Sequence, residues 1–257
     1  MKKHFVFCLS LILIFSFFVM PSTVSFAEGS TQSISSEVGN VEPLSLDSSN
    51  DTIVVASSGI FKIEGGKAVD AGSKSPDDLA ASVIIKAFTY PHWDGMDEVY
   101  VITNNNNVPI RFEINVTARN ASGTPITAEH EIVRLVPANR SVPTFIYFKG
   151  ADENTTYDYN VKIKEPDLKD GTDSLSVEAA PGDKEAIIIF TNNSDQELSD
   201  CTANCLFLKD GKIVYCNYEF IGEGLGDIPA GESFSRTVGS GRNDFDDVLC
   251  FPIAGIR

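Results

Sequence analysis

Residues 186–220 read AIIIFTNNSDQELSDCTANCLFLKDGKIVYCNYEF. The apolar run Ile187-Ile188-Ile189-Phe190 stops at Thr191-Asn192-Asn193-Ser194, and a second run through Cys205 and Phe207 turns at Asp210-Gly211 into a third, Ile213 to Phe220. Short β-prone runs with turn residues between them spell an antiparallel meander. The turn also predicts a register, because side chains alternate between faces and loop length decides which residues meet. A two-residue turn at Asp210-Gly211 sets Phe207 opposite Val214, Cys205 opposite Cys216 and Ala203 opposite Tyr218, all on the more apolar face.

The same punctuation occurs earlier. Val99-Tyr100-Val101-Ile102-Thr103-Asn104-Asn105 matches Ile187-Ile188-Ile189-Phe190-Thr191-Asn192-Asn193, and Gly123 matches Gly211, both 88 residues apart (187 − 99 and 211 − 123). Val136-Pro137-Ala138-Asn139-Arg140-Ser141 matches Ile228-Pro229-Ala230-Gly231-Glu232-Ser233 at an offset of 92 (228 − 136), so four residues are inserted around Gly222, Gly224 and Gly226. A unit of roughly 85–90 residues is the size of one immunoglobulin-like sandwich and too long for a solenoid repeat. In the first unit Phe112, Ile114, Val116 and Ala118 face Ile126, Ala128, His130 and Ile132 if the loop is Ala121-Ser122-Gly123 with Gly123 left-handed. The two loops then differ by one residue, which requires a compensating one-residue slip upstream.

The fold expected is all-β, a tandem of immunoglobulin-like antiparallel β-sandwiches. Strands fall near 82–89, 98–103, 110–119, 125–135, 143–149 and 157–164, then 174–179, 185–191, 198–208, 212–221, 232–238 and 246–252. Before them, Asp51 to Ala56 and Ile60 to Glu64 read as a small hairpin around Ser57-Ser58-Gly59, giving a first unit over 51–165. Residues 166–173 read as a polar linker and 174–257 as the second unit. Phe145-Ile146-Tyr147-Phe148 is apolar on both strand faces, which calls for a cover over the outer one.

At the start, Lys2-Lys3, the apolar run Phe5 to Met20 and Ser25-Phe26-Ala27 have the form of a cleaved secretory signal of bacterial type over 1–27. Residues 28–50 are too polar to order themselves and read as a flexible leader. The expected location is the bacterial exterior, with no membrane association once the signal is removed. The formal net charge is −16. So acidic a surface disfavours nucleic acid and anionic lipid, both of which need clustered Lys and Arg.

Cys201, Cys205, Cys216 and Cys250 remain once Cys8 leaves with the signal. An even number in an exported chain suggests two disulfides, and the register selects Cys205–Cys216 with Cys201–Cys250, although reduced buried cysteines remain an alternative. Zinc would need paired short knuckles that this spacing lacks. No serine elbow, His-Glu-x-x-His or glycine-rich phosphate loop occurs, so catalytic residues, cofactors and resident metals are all expected to be none. His130 reads as a core or edge histidine. Asp94, Asp97 and Glu98, and Asp244, Asp246 and Asp247, offer oxygen ligands without the spacing of a calcium loop, so they read as solvated turn acids.

One loop stands out for contact. Tyr90 to Asp97 combines Tyr90, His92 and the chain's single tryptophan, Trp93, with a rigid Pro91, a flexible Gly95 and acids. Tyr90, Trp93 and Asp94 are the candidate contact residues. A Trp93 capping the sandwich core explains the same composition.

The second unit resembles FxLYD-type and related immunoglobulin-like modules of secreted bacterial proteins. Asn192-Asn193-Ser194, Lys209-Asp210-Gly211-Lys212 and Ile228-Pro229-Ala230-Gly231-Glu232 carry the resemblance over about 174–252. It is weaker over 83–164, where Asn139-Arg140 replaces Gly-Glu, and Phe207-Leu208-Lys209-Asp210 stands for the Phe-x-Leu-Tyr-Asp string. The resemblance implies an extracellular accessory or binding module without catalysis. The expected function is therefore a secreted binding or spacer protein, its partner an extracellular protein or glycan. Homo-oligomeric assembly through sheet edges is the alternative, and a hydrolase with an unrecognised acid pair a third.

Overall fold

Runs of β-branched and aromatic residues favour pleated strands, and among the described residues such runs pair into sheets. A computed structural model describes residues 51–55, 59–64, 67–70, 79–221 and 226–256, with side chains from 79 onward except 81. The expected signal, the leader and most of the inserted glycine loop lie outside them. The strands are β1 (Asp51–Val55), β2 (Gly59–Glu64), β3 (Lys67–Asp70), β4 (Val83–His92), β5 (Gly95–Asn104), β6 (Ile110–Arg119), β7 (Pro125–Val136) and β8 (Arg140–Lys149). They continue with β9 (Thr156–Lys164), β10 (Lys169–Asp170), β11 (Leu175–Pro181), β12 (Glu185–Asn192), β13 (Ser199–Lys209), β14 (Lys212–Phe220), β15 (Ser233–Gly239) and β16 (Asp247–Ile256). Two 3₁₀ turns, Ala80–Ser82 and Thr172–Ser174, are the only helical elements among the described residues.

The protein is all-β, with four antiparallel sheets ordered β1-β4-β5-β8, β3-β2-β9-β6-β7, β10-β16-β13-β14 and β11-β12-β15. Every expected strand of the two units is present and differs only at its ends. The first two sheets enclose one core, with Ile85, Tyr100, Ile102 and Phe148 meeting Phe112, Ile114 and Val161. The last two enclose another, around Ile188, Phe190, Ala203, Cys205 and Phe207. Connectivity repeats: β4, β5 and β8 correspond to β11, β12 and β15, and β6, β7 and β9 to β13, β14 and β16.

Two readings of the connecting segments need correction. The expected 51–64 hairpin does not form between its own halves: β1 pairs with β4 in one sheet and β2 with β9 in the facing sheet, β2 taking β3 as its hairpin partner. The expected linker is part of the second unit, since β10 pairs with β16 and Thr172 is buried with its hydroxyl serving the Ala254 backbone. A preceding segment thus adds a strand beside β9 in the first unit, β2, and beside β16 in the second, β10.

A third apolar cluster lies between the units. Phe88, Val99 and Val101, on the outer face of β4-β5-β8, meet Leu206 and Cys216 on the outer face of β13-β14, with Phe145 and Leu249 packed alongside. This is the cover that the doubly apolar strand β8 demanded. Each fully buried side chain of this size contributes ~1.5–3 kcal/mol relative to exposure, so the junction is a third core rather than a loose domain contact.

The repeated asparagines explain the repeated punctuation. Asn104 Nδ2 donates to the carbonyls of Val108 (3.0 Å), Val136 (3.1 Å) and Pro137 (3.1 Å), while its Oδ1 accepts from the Asn106 amide (3.0 Å). Asn192 does the same at Gln196 (2.7 Å), Ile228 (3.0 Å) and Pro229 (3.1 Å), accepting from the Ser194 amide (2.9 Å). The offsets of 88 and 92 are therefore offsets between two equivalent buried hydrogen-bond hubs.

Both hairpin turns form as expected, and both registers slip. Asp210 (φ 51°) and Gly211 (φ 73°) make the two-residue turn, with Lys209 opposite Lys212 and Leu208 opposite Ile213. A bulge then accommodates Val214, so Phe207 faces Tyr215, Leu206 faces Cys216 and Cys205 faces Asn217. In the first unit Gly123 is left-handed (φ 80°) and Arg119 faces Pro125, but a bulge at Ile126 puts Ala118 opposite Thr127 and Phe112 opposite Val133. The two bulges are 88 residues apart (214 − 126). A one-residue slip moves every side chain to the other face. Hence His130, expected inward, is exposed. The upstream slip that the unequal loops required lies at Asp200, which has φ 52° and sits where the β13–β16 register shifts.

Candidate functional site

The stretch read as a contact loop is almost all strand. His92 pairs with Gly95, leaving only Trp93 and Asp94 as the turn between β4 and β5. The turn is held from β8: the Gly150 amide donates to the Asp94 carbonyl (2.9 Å), and the Tyr147 hydroxyl donates to Asp94 Oδ1. Gly95 is no hinge. A Cβ there would stand 2.2 Å from the Phe148 carbonyl oxygen, so glycine is what allows β5 to approach β8 this closely.

Trp93 projects from this braced turn and is 85% exposed, which removes the core-capping explanation. Its indole lies 5.9 Å from the His92 ring, which lies 4.7 Å from the Tyr147 ring (centroid distances). His92 Nδ1 is 3.6 Å from Asp94 Oδ1 and Lys149 Nζ is 4.0 Å from Asp94 Oδ2. Partial desolvation, then the adjacent Asp94 carboxylate, push the Tyr147 phenol up to about 12, so it stays a proton donor at neutral pH. The result is a solvent-facing ring backed by a second and third ring, with a carboxylate and an ammonium beside it.

The other two candidate residues play different parts. Asp94 spends Oδ1 of its carboxylate on the brace and holds Oδ2 beside Lys149. Tyr90 points into the junction, where its hydroxyl accepts from the Cys216 amide (3.2 Å) and its ring lies 6.5 Å from Tyr215. Asp97 is its cross-strand neighbour. Asp97 is only 2% exposed, and burial raises its carboxyl above the usual range, an effect partly offset by His92 and the Tyr90 hydroxyl. Tyr90, Asp97 and Tyr147 are successive positions across one sheet face. Tyr147 and Lys149 escaped the sequence reading because the β5–β8 pairing that brings them here spans some fifty residues and leaves no local pattern.

The candidate acids do not converge. Asp97 and Glu98 are neighbours in one strand and so face opposite sides. Asp97 lies in the junction, whereas Glu98 is buried in the first core, accepting from the hydroxyls of Tyr100 (2.5 Å) and Tyr159. Asp244 pairs with Lys184, and Asp246 accepts from the Asp210 amide (3.0 Å) and pairs with Lys209 (3.4 Å), so these acids brace turns. No group of three metal-ligating side chains occurs among the described residues.

All four cysteines are thiols. Cys205 lies in the second core, on the expected face, but the Val214 bulge turns Cys216 into the junction on the opposite face of the sheet, so the expected Cys205–Cys216 pairing is overturned. Cys201 lies four residues before Cys205, the position that faces Cys250, and so ~13 Å along the strand from it, which overturns the second pairing too. The residue that does face Cys205 is Cys250, with Sγ–Sγ 3.7 Å.

No family model matches the chain and no curated protein matches it. Among solved structures, red sea bream transglutaminase aligns over 67% of this chain and 27% of its own length, at 10% identity and a TM-score of 0.22. AerE from Microcystis aeruginosa aligns over 77% and 99%, at 11% identity and a TM-score of 0.14. The N-terminal CBM22-1-CBM22-2 tandem domain of Paenibacillus barcinonensis Xyn10C aligns over 68% and 84%, at 8% identity and a TM-score of 0.13. Likenesses this slight carry no argument about function.

Proposed function

We propose that the protein is an exported, non-catalytic binding module of immunoglobulin-like architecture, and that it engages an extracellular protein or glycan with the β4–β5 turn. The observation that carries this reading is the exposure of Trp93 on a turn held rigid from β8. Leaving a large ring in water is unfavourable unless something covers it, and rigid aromatic rings give contact area at little cost in conformational entropy. The flanking Asp94 and Lys149 supply an acceptor and a donor for an orienting hydrogen bond.

The test compares the chain from residue 28 onward with its Trp93→Ala variant on isolated bacterial envelopes and on an array of soluble envelope glycans. Because the ring packs against little, the substitution is expected to change unfolding free energy by no more than about 0.5 kcal/mol. Binding by the parent chain that the variant loses supports the reading. Equal binding by both, or a variant destabilised by several kcal/mol, refutes it.

Assembly through sheet edges has one observation in its favour: β14 is an edge strand with Tyr218 (45%) and Phe220 (46%) exposed. Such edges can add a strand from another chain. The apolar outer face of β8 no longer supports assembly, since the junction consumes it. Light scattering at high concentration decides: a strict monomer excludes this reading.

A further inference from the structure

Cys205 and Cys250 occupy directly opposed positions of the antiparallel pair β13–β16. Opposed residues in such a pair have Cα atoms ~4.5–5.5 Å apart, inside the ~4.4–6.8 Å span of disulfides, so the backbone need not move to join them. Their sulfurs stand 3.7 Å apart on the same face of the sheet. Closing to the bonded ~2.05 Å requires only a change of side-chain rotamer. The same geometry excludes the alternatives, because Cys216 lies on the opposite face and Cys201 is four residues further along β13. We infer that Cys205 and Cys250 form a disulfide when the folded protein meets a small-molecule disulfide oxidant, while Cys201 and Cys216 stay reduced.

Differences in access set the order of events. Cys205 is fully buried, whereas Cys250 is partly exposed. The Cys250 thiolate attacks one sulfur of the oxidant, its proton leaving with the released thiol, and a mixed disulfide forms. The Cys205 sulfur then attacks Cys250, expelling the second thiol. Two electrons pass from the cysteine pair to the oxidant's S–S bond, which is reduced to two thiols. A hydrogen bond that the Cys250 S–H donates to the Cys205 sulfur, together with burial, holds the Cys250 thiol well above its ordinary range, so the reaction should accelerate as pH rises through alkaline values. The bond would tie together two neighbouring strands of the sheet that meets the first unit, positions 45 residues apart in the chain.

The experiment treats the purified chain from residue 28 onward with glutathione disulfide, alkylates remaining thiols after denaturation and maps peptides without reduction. The expected product is one linked pair, Cys205–Cys250, lighter than the reduced pair by two hydrogen atoms, with Cys201 and Cys216 alkylated. Both thiols alkylated after prolonged exposure, or Cys205 linked to Cys216, would overturn the inference. In Cys205→Ser the mixed disulfide should persist as one glutathione on Cys250, and in Cys250→Ser position 205 should stay a free thiol; rapid glutathionylation of Cys205 there would contradict the order of attack. A defined redox buffer keeps the outcome independent of export and of any role for Trp93.

Discussion

At the scale of single residues, Asn104 and Asn192 do what a run of backbone would otherwise have to do. Each is fully buried and ties a strand end to carbonyls on a distant segment, at Asn192 adding a second donor to the Ile228 and Pro229 carbonyls that already accept from the Leu198 and Glu232 amides. Removing a buried hydrogen-bonding group costs ~1–3 kcal/mol, and truncation also takes the acceptor from the Asn106 or Ser194 amide. Asn104→Ala and Asn192→Ala should therefore each lower unfolding free energy by ~2–4 kcal/mol in urea denaturation. Asn→Asp should do no better, because a carboxylate offers these carbonyls no donor. A loss below ~0.5 kcal/mol at either position would show that water replaces the hub. The sequence displayed these residues as punctuation at offsets of 88 and 92. What they bond to was not legible, because an asparagine before a loop looks the same whether it caps a turn or reaches thirty residues away.

Among elements, turns were legible and bulges were not. Asp-Gly and Ser-Gly announce their left-handed glycines through local chemistry, and Gly211→Ala should cost about 1 kcal/mol with nothing in steric contact. Gly95→Ala should cost distinctly more, since its new methyl would collide with the Phe148 carbonyl, and equal losses at the two sites would contradict the close approach of β5 to β8. The bulges at Ile126 and Val214 have no such signature. An extra residue is accepted where the facing sheet and, at Val214, the junction need the following side chains turned over, information held by partners far away in sequence. The extra residue at Val214 turned Cys216 away from Cys205, and the one at Ile126 turned His130 outward, while every strand stayed where its composition located it. The β1 and β2 segments show the same limit: their composition said strand, but the choice of partner sheet lies in β4 and β9.

For the whole molecule, the junction between the two units buries a carboxylate as well as apolar side chains. Asp97 faces His92 and Tyr90 from β4, Tyr147 from β8, and Tyr215 and Cys216 from β14. Its folded carboxyl is raised, so protonation favours the folded state: that contribution is fully present below the unfolded value of ~4 and is lost as pH rises through the raised one. Asp97→Asn should accordingly gain stability relative to the parent as pH increases from about 4 toward neutrality, and a difference independent of pH would refute the buried charge. At the β4–β5 turn, a braced pair of residues holds a tryptophan out in water. That residue is the chain's only one, so its fluorescence reports on its exposure without substitution or label. Native emission should lie close to that of the urea-unfolded chain and be quenched by acrylamide to a similar extent; blue-shifted emission shielded from acrylamide in the native monomer would contradict an exposed Trp93.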